Sequence, residues 1–248
     1  MHAELFLTPV PFDRVNLTDK CVVAIDVLRC STSICAALQA GAREVIPVPG
    51  PGEAGDLWAK IGREQAVLAG EREGVKIENF QLGNSPAEFT PDTVGGKTVV
   101  LTTTNGTQVY GKTKGSKLVV TGALVNMGAI VDMLAREGRD LVIVCSGQDG
   151  GFSIEDTLCG GMIIDLLATT HNLEMSFNDA GSLALLLYRS NNDNLQETIA
   201  RGEHGRYLSS IGFAADVATA SDVDSMPVVP VMVDGRLVMP TVPEPDHS

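Results

Sequence analysis

Asp26 and Arg29 stand three positions apart in Val22-Val-Ala-Ile-Asp26-Val-Leu-Arg29-Cys-Ser31-Thr32-Ser33, where an apolar run gives way to an acid, a guanidinium and hydroxyls. This combination suits the handling of anions. A carboxylate in apolar surroundings must be paired, hydrogen-bonded or bound to a metal, and an arginine forks onto phosphate or carboxylate oxygens. Ser31 and Thr32 fall where a helix N-terminus points free N–H groups at a negative ligand.

Further polar clusters recur downstream: Gly70-Glu71-Arg72, Thr102-Thr-Thr-Asn105-Gly106-Thr107, Thr121 to Asn126, and Ser146-Gly-Gln-Asp149 through Ser153-Ile-Glu155-Asp156. Asp26, Glu71, Glu155 and Asp156 together form the oxygen-donor set that a hard cation such as Mg²⁺ takes while keeping room for water and phosphate. Arg29 and Arg72 balance the remaining charge. Each cluster also has a plainer reading. Asp26 can be a structural partner of Arg29, and Glu71-Arg72 a solvated pair. Ser153 can be a helix N-cap with Glu155 and Asp156 complementing the dipole. Thr102 to Thr104 can be a strand end before an Asn105-Gly106 turn. The coincidence of all of them favours a single crevice.

The elements that must position these residues alternate. Strands at 22–28, 44–48, 66–70, 98–103, 117–122 and 140–146 are interleaved with helices at 33–42, 52–62, 105–112, 126–137 and 153–169. This order predicts a three-layer α/β/α fold on a largely parallel or mixed sheet. Residues 178–211 read as a C-terminal helical region, and Val228 to Met239 as a closing hairpin around Asp234-Gly235. One α/β domain is expected over 1–240, with two lobes meeting near residue 120 as a variant of it, and a frayed tail over 241–248. In such sheets ligands collect beyond the carboxyl ends of the strands, where the clusters fall.

Composition narrows the partners. With 31 acids against 18 Lys plus Arg, the formal charge of -13 disfavours nucleic acid. No apolar stretch approaches the ~20 residues of a membrane span, and Met1-His-Ala-Glu-Leu-Phe6 does not resemble a secretion signal. A cytoplasmic protein is expected, and a homo-oligomer is compatible with it. Cys21, Cys30, Cys35, Cys145 and Cys159 form no C-x-x-C pair and read as small buried residues. Cys30, inside the anion loop, is the better thiol candidate. His204 has two readings, a general acid or a cap between helical segments.

Gly106-Thr-Gln-Val-Tyr-Gly111-Lys112-Thr113 satisfies the G-x4-G-K-T spacing of a nucleotide-binding loop. The context argues against it, because Lys114 to Lys117 turn straight into a strand where the helix should begin. A P-loop nucleotide hydrolase and a non-catalytic sensor of a small phosphorylated or sulfonated acid are the rival classes.

Ile25-Asp-Val-Leu-Arg29 with Ser31-Thr32, Leu68-Ala-Gly-Glu71-Arg72, Leu82-Gly-Asn84-Ser85-Pro86, Thr102 to Thr107, Phe152-Ser-Ile-Glu155-Asp156 with Cys159-Gly160, and His204-Gly205 occur in that order. The series, from about residue 3 to Pro230, resembles the 2-phosphosulfolactate phosphatases. Cys30 stands where alanine is expected, and Ala220 where the family often has cysteine. The resemblance implies a Mg²⁺-dependent hydrolase that converts 2-phospho-3-sulfolactate to 3-sulfolactate and phosphate, a step of coenzyme M biosynthesis. Asp26, Arg29, Glu71 and Asp156 are then the expected catalytic residues, and Asp26, Glu71, Glu155 and Asp156 the metal donors. Ser31, Thr32, Arg72, Asn84, Ser85, Thr103, Asn105 and Gly106 are the expected contacts to a small substrate bearing phosphate and sulfonate.

Overall fold

Val22 to Ile25 are all buried, as a strand covered on both faces requires, and the helix that follows is buried along most of its length. These are β2 (Cys21–Ile25) and α1 (Cys30–Gln39) of a computed structural model that describes residues 1–10 and 15–240. The expected tail at 241–248 lies outside the described residues. The other strands are β1 (His2–Phe6), β3 (Glu44–Pro47), β4 (Ala66–Arg72), β5 (Val75–Lys76), β6 (Thr98–Thr102), β7 (Leu118–Gly122), β8 (Leu141–Cys145), β9 (Ser176–Phe177), β10 (Val231–Val233) and β11 (Arg236–Val238). The other helices are α2 (Pro51–Ile61), α3 (Pro91–Val94), α4 (Thr107–Tyr110), α5 (Met127–Glu137), α6 (Ile154–Thr169), α7 (Asp179–Arg189), α8 (Leu195–Arg201), α9 (Glu203–Ser210) and α10 (Ala214–Ala220).

The strands form one mixed sheet in the order β5-β4-β6-β3-β11-β10-β7-β2-β8-β1-β9. Within β4-β6-β3 and within β7-β2-β8-β1-β9 the pairings are parallel. The closing hairpin lies between these groups, antiparallel to β7 on one side and to β3 on the other. Helices cover both sides, as the strand and helix alternation predicts. On one face Leu5, Ile25 and Ile143 pack against Met127, Ile130 and Leu134 of α5 and Leu158 and Ile163 of α6. On the other, Ile34, Ala37 and Leu38 of α1 share a core with Val22 and Ala24 of β2 and with Val45, Val99 and Leu101 from the second strand group. Helix α1 thereby joins both groups.

Two differences from the sequence reading bear on the site. Helix α1 begins at Cys30, three residues before the expected 33, because Asp26 satisfies its first turn: Asp26 Oδ1 accepts the Cys30 N–H at 3.1 Å and Asp26 O accepts the Ser31 N–H at 2.8 Å. In the Gly106 to Thr113 segment the helix spans Thr107–Tyr110 and ends at Gly111, so no helix starts at the Gly-Lys-Thr. That is the geometry a phosphate-binding loop lacks.

Candidate active site

A cavity of about 430 Å³ opens where these segments meet, and Asp26, Arg29, Glu71, Asn84, Thr103 and Asn105 all line it. Six expected site residues from four segments thus share one hollow. Thr104, Gln148, Asp149, Glu203, His204 and Tyr207 complete much of its wall.

Asp26 follows β2 and is only 8% exposed. Burial, opposed by the His204 charge and the Cys30 N–H and reinforced by Glu71 and Glu155, raises its pKa to about 6. Its Oδ2 faces Gly106: a Cβ at that glycine would lie 2.5 Å from Oδ2 and 2.6 Å from Cys30 Cβ. Gly106 therefore serves the site as a spacer that lets the β6 end approach Asp26. Cys30 is buried, and burial followed by the Asp26 charge pushes its thiol well above the usual range, which disfavours the thiolate.

Arg29 is 3% exposed. Its Nη1 donates to Asp216 Oδ2 at 2.8 Å, its Nη2 donates to Gly74 O at 2.6 Å, and its Cζ lies 4.2 Å from the centroid of the Phe213 ring. A guanidinium carries five N–H donors, so this arrangement fixes its plane while leaving others for a ligand.

Glu71 and Asp156 act as clasps. Glu71 Oε1 accepts the Thr104 N–H at 2.8 Å and Oε2 the Gly74 N–H at 2.7 Å, tying the β4–β5 turn to the end of β6. Gly74 has φ +74°, a conformation open to glycine. Asp156 Oδ1 accepts the Val27 N–H at 2.8 Å and Oδ2 the Gly147 N–H at 3.0 Å, tying the ends of β2 and β8. Burial, then the charges of Asp26 and Glu155, raise its pKa well above the carboxylate range.

Glu155, one residue earlier, accepts instead from a side chain: its Oε1 lies 3.2 Å from His204 Nδ1. Burial opposes the imidazolium, but the hydrogen bond and charge of Glu155 and the charge of Asp26 carry the His204 pKa above its ordinary value. His204 thus lines the pocket with its protonated form favoured by Glu155 and Asp26. Among the described residues, no group of three or more His, Cys, Asp or Glu is arranged to hold a metal ion.

Several expected substrate contacts do other work. Arg72 does not line the cavity: its Nη1 donates to Glu71 O and its Nη2 to Thr102 Oγ1 at 3.0 Å. Adjacent strand residues face opposite sides, so Glu71 and Arg72 cannot both point inward. Ser31 Oγ accepts the Asp26 N–H at 2.9 Å and Thr32 Oγ1 donates to Val27 O at 2.8 Å, so both hydroxyls brace the loop. Ser85 Oγ donates to Asp216 Oδ1 at 2.7 Å. Asn84 meets the expectation more closely, being buried at the cavity wall with Oδ1 unpartnered. Ser153 is the N-cap residue of α6, yet its hydroxyl makes no capping bond.

Asp216, Phe213 and Tyr207 escaped the sequence reading. Tyr207 Oη donates to Glu73 O at 2.8 Å and pins the β4–β5 turn on α9.

Comparison with known proteins agrees with the motif series. The family model for 2-phosphosulpholactate phosphatase matches residues 7–235. A probable 2-phosphosulfolactate phosphatase of Synechococcus sp. is 41% identical over 234 residues, covering 92% of this chain and 94% of that protein. Proteins of the same description from Carboxydothermus hydrogenoformans and Caldanaerobacter subterraneus are 40% and 38% identical, over 90% and 89% of this chain and 92% and 90% of theirs. The family match takes in Asp26, Arg29 and the pocket around them, and with these relatives it shows that the chain belongs to the 2-phosphosulpholactate phosphatase family.

Proposed function

We propose that this chain is a Mg²⁺-dependent phosphoric monoester hydrolase that releases phosphate from 2-phospho-3-sulfolactate to leave 3-sulfolactate. The observation that carries the reading is the shared pocket of Arg29 and Asp26, an anion-binding guanidinium beside a carboxylate kept basic by burial, in a chain aligned almost end to end with relatives described by that activity.

Asp26 is the residue that fits the cation. It is an oxygen donor crowded by Glu71 and Glu155, and a positive ion would relieve that repulsion. Mg²⁺ usually takes one or two carboxylates and leaves its remaining positions to water and phosphate oxygens. Once bound, the ion would neutralise charge on the phosphoryl group.

The chain's own residues do the rest. The unspent N–H groups of Arg29 bind phosphoryl oxygens. Asn84, Thr103 and Asn105 orient the carboxylate and sulfonate. Water attacks phosphorus, the bond to the C2 oxygen breaks, and His204 Nε2 supplies the proton that the departing oxygen needs; the proton that the water sheds passes to solvent, from which the imidazole is recharged. The reading also calls for a small anionic substrate, for which Arg29 in the pocket must override the net charge of -13 locally; that same charge disfavours nucleic acid. Among the described residues no helix is long and apolar enough to cross a membrane.

The test is phosphate release from 2-phospho-3-sulfolactate by chelator-treated protein with and without added Mg²⁺. Release restored by Mg²⁺ is expected. Binding of the compound without any release would replace the hydrolase by a sensor, and release unaffected by chelation would remove the metal.

A further inference from the structure

We infer that Asp216, on α10, is a positioning residue for Arg29, holding the guanidinium at the angle at which its remaining N–H groups meet a phosphoryl group; this rests on the hydrolase reading above. Asp216 is 4% exposed and both its oxygens are engaged, Oδ2 by Arg29 Nη1 at 2.8 Å and Oδ1 by Ser85 Oγ at 2.7 Å. One carboxylate therefore ties the β2–α1 loop to the segment that carries Asn84, 187 and 131 positions away in sequence.

The Arg29 guanidinium is located in three ways. Asp216 takes one end, the Gly74 carbonyl another, and the Phe213 ring covers its plane at 4.2 Å. Among the described residues, only Asp216 bonds it through a charge. Buried charge pairs are poor sources of net stability, because desolvation consumes much of the attraction. A bidentate carboxylate between an arginine and the next segment of the pocket wall accounts better for geometry than for stability. Ser33 Oγ donates to Asn84 O at 2.8 Å, so the Asn84–Ser85 segment is held from both sides while the Asn84 amide lines the cavity. Asp216 thus sets the relative position of two groups that face the ligand without touching it.

Orientation of this kind is expressed in the rate of the chemical step. A misplacement of about 1 Å far from the reacting atoms can cost on the order of a hundredfold. The experiment is steady-state kinetics on 2-phospho-3-sulfolactate for Asp216→Asn and Asp216→Glu, with thermal midpoints recorded alongside. Asp216→Asn keeps the shape but cannot accept from both Arg29 and Ser85, since one of its two terminal atoms is a donor. Asp216→Glu keeps the charge and moves it by one methylene, and it serves if the neutral variant fails to fold. Both are expected to lower kcat about tenfold or more while KM stays within about threefold. A wild-type kcat in Asp216→Glu overturns the positioning role and leaves Asp216 a structural counter-charge. Arg29→Ala separates the two claims: loss of turnover there with no effect in either Asp216 variant sinks this inference alone. Full turnover in Arg29→Ala sinks the reading on which it rests.

Discussion

The imidazole Nδ1 of His204 lies 3.2 Å from Oε1 of Glu155, a contact that joins α9 to the first turn of α6 at the edge of the cavity. Because the pKa of His204 is raised, the stability from this pair is fully present below the ordinary histidine value near 6.5 and is lost as pH rises through the higher folded value. Glu155→Gln is expected to lower the midpoint of the His204 imidazole resonances in an NMR pH titration. It should also reduce the thermal midpoint at pH 6 more than at pH 9. An unchanged His204 titration would mean that Glu155 does not hold the proton.

Asp26→Asn separates stability from activity. The wild-type carboxyl has a folded pKa of about 6 against an ordinary 3.8, so folding loses stability as pH rises between those values. At pH 8 the cost is about 2–3 kcal/mol. The amide avoids it, and its oxygen can still accept the Cys30 N–H. The variant is expected to melt at a higher temperature than wild type at pH 8 and to lose nearly all phosphate release. Lower stability at pH 8 would show that the carboxylate is better compensated than its burial implies.

Gly106→Ala places a methyl 2.5 Å from Asp26 Oδ2 and 2.6 Å from Cys30 Cβ. Neither neighbour has room to retreat, since Cys30 is 1% exposed in the first turn of α1. The expected result is a loss of turnover of about tenfold or more, with a drop in the urea midpoint. Wild-type kinetics would show that the β6 end can move away freely.

Glu71→Gln tests the clasp. Glutamine retains one acceptor oxygen where the Thr104 and Gly74 N–H groups use both. Both donors are only half-buried, so loss of one of these bonds costs about 0.5–1.5 kcal/mol. Urea unfolding should register that loss, and faster amide exchange should localise it to Gly74 or Thr104. Uniform exchange across the β4–β5 turn would refute the clasp.

Strand and helix order was legible because β-branched runs such as Val22 to Ile25 and Leu141 to Cys145 alternate with helical periodicity. The polar residues after those strands were legible as one crevice for the same reason. Their individual roles were not. A carboxylate in a polar cluster that follows a strand looks the same whether it lines the cavity, as Asp26 does, or gathers backbone N–H groups from the first turn of α6, as Asp156 does. Arg72 was assignable in principle, since its neighbour Glu71 already occupies the inward face of β4. Asp216 carries no local signal, because Phe213-Ala-Ala-Asp216-Val217 reads as an ordinary helix start and its partners lie more than a hundred positions upstream. Strand β1 was missed because five residues alternating His2, Ala3, Glu4, Leu5 and Phe6 are too short and too polar to stand out.

The β10–β11 hairpin has a bearing on biosynthesis. Its eight residues, 231 to 238, are translated after every other strand of the sheet, yet they occupy its middle. Until they leave the ribosome, β3 and β7 each keep an open edge, the kind of surface that invites pairing with another chain. A nascent polypeptide halted before Val231 therefore leaves both edges unsealed, and chaperone demand should peak there.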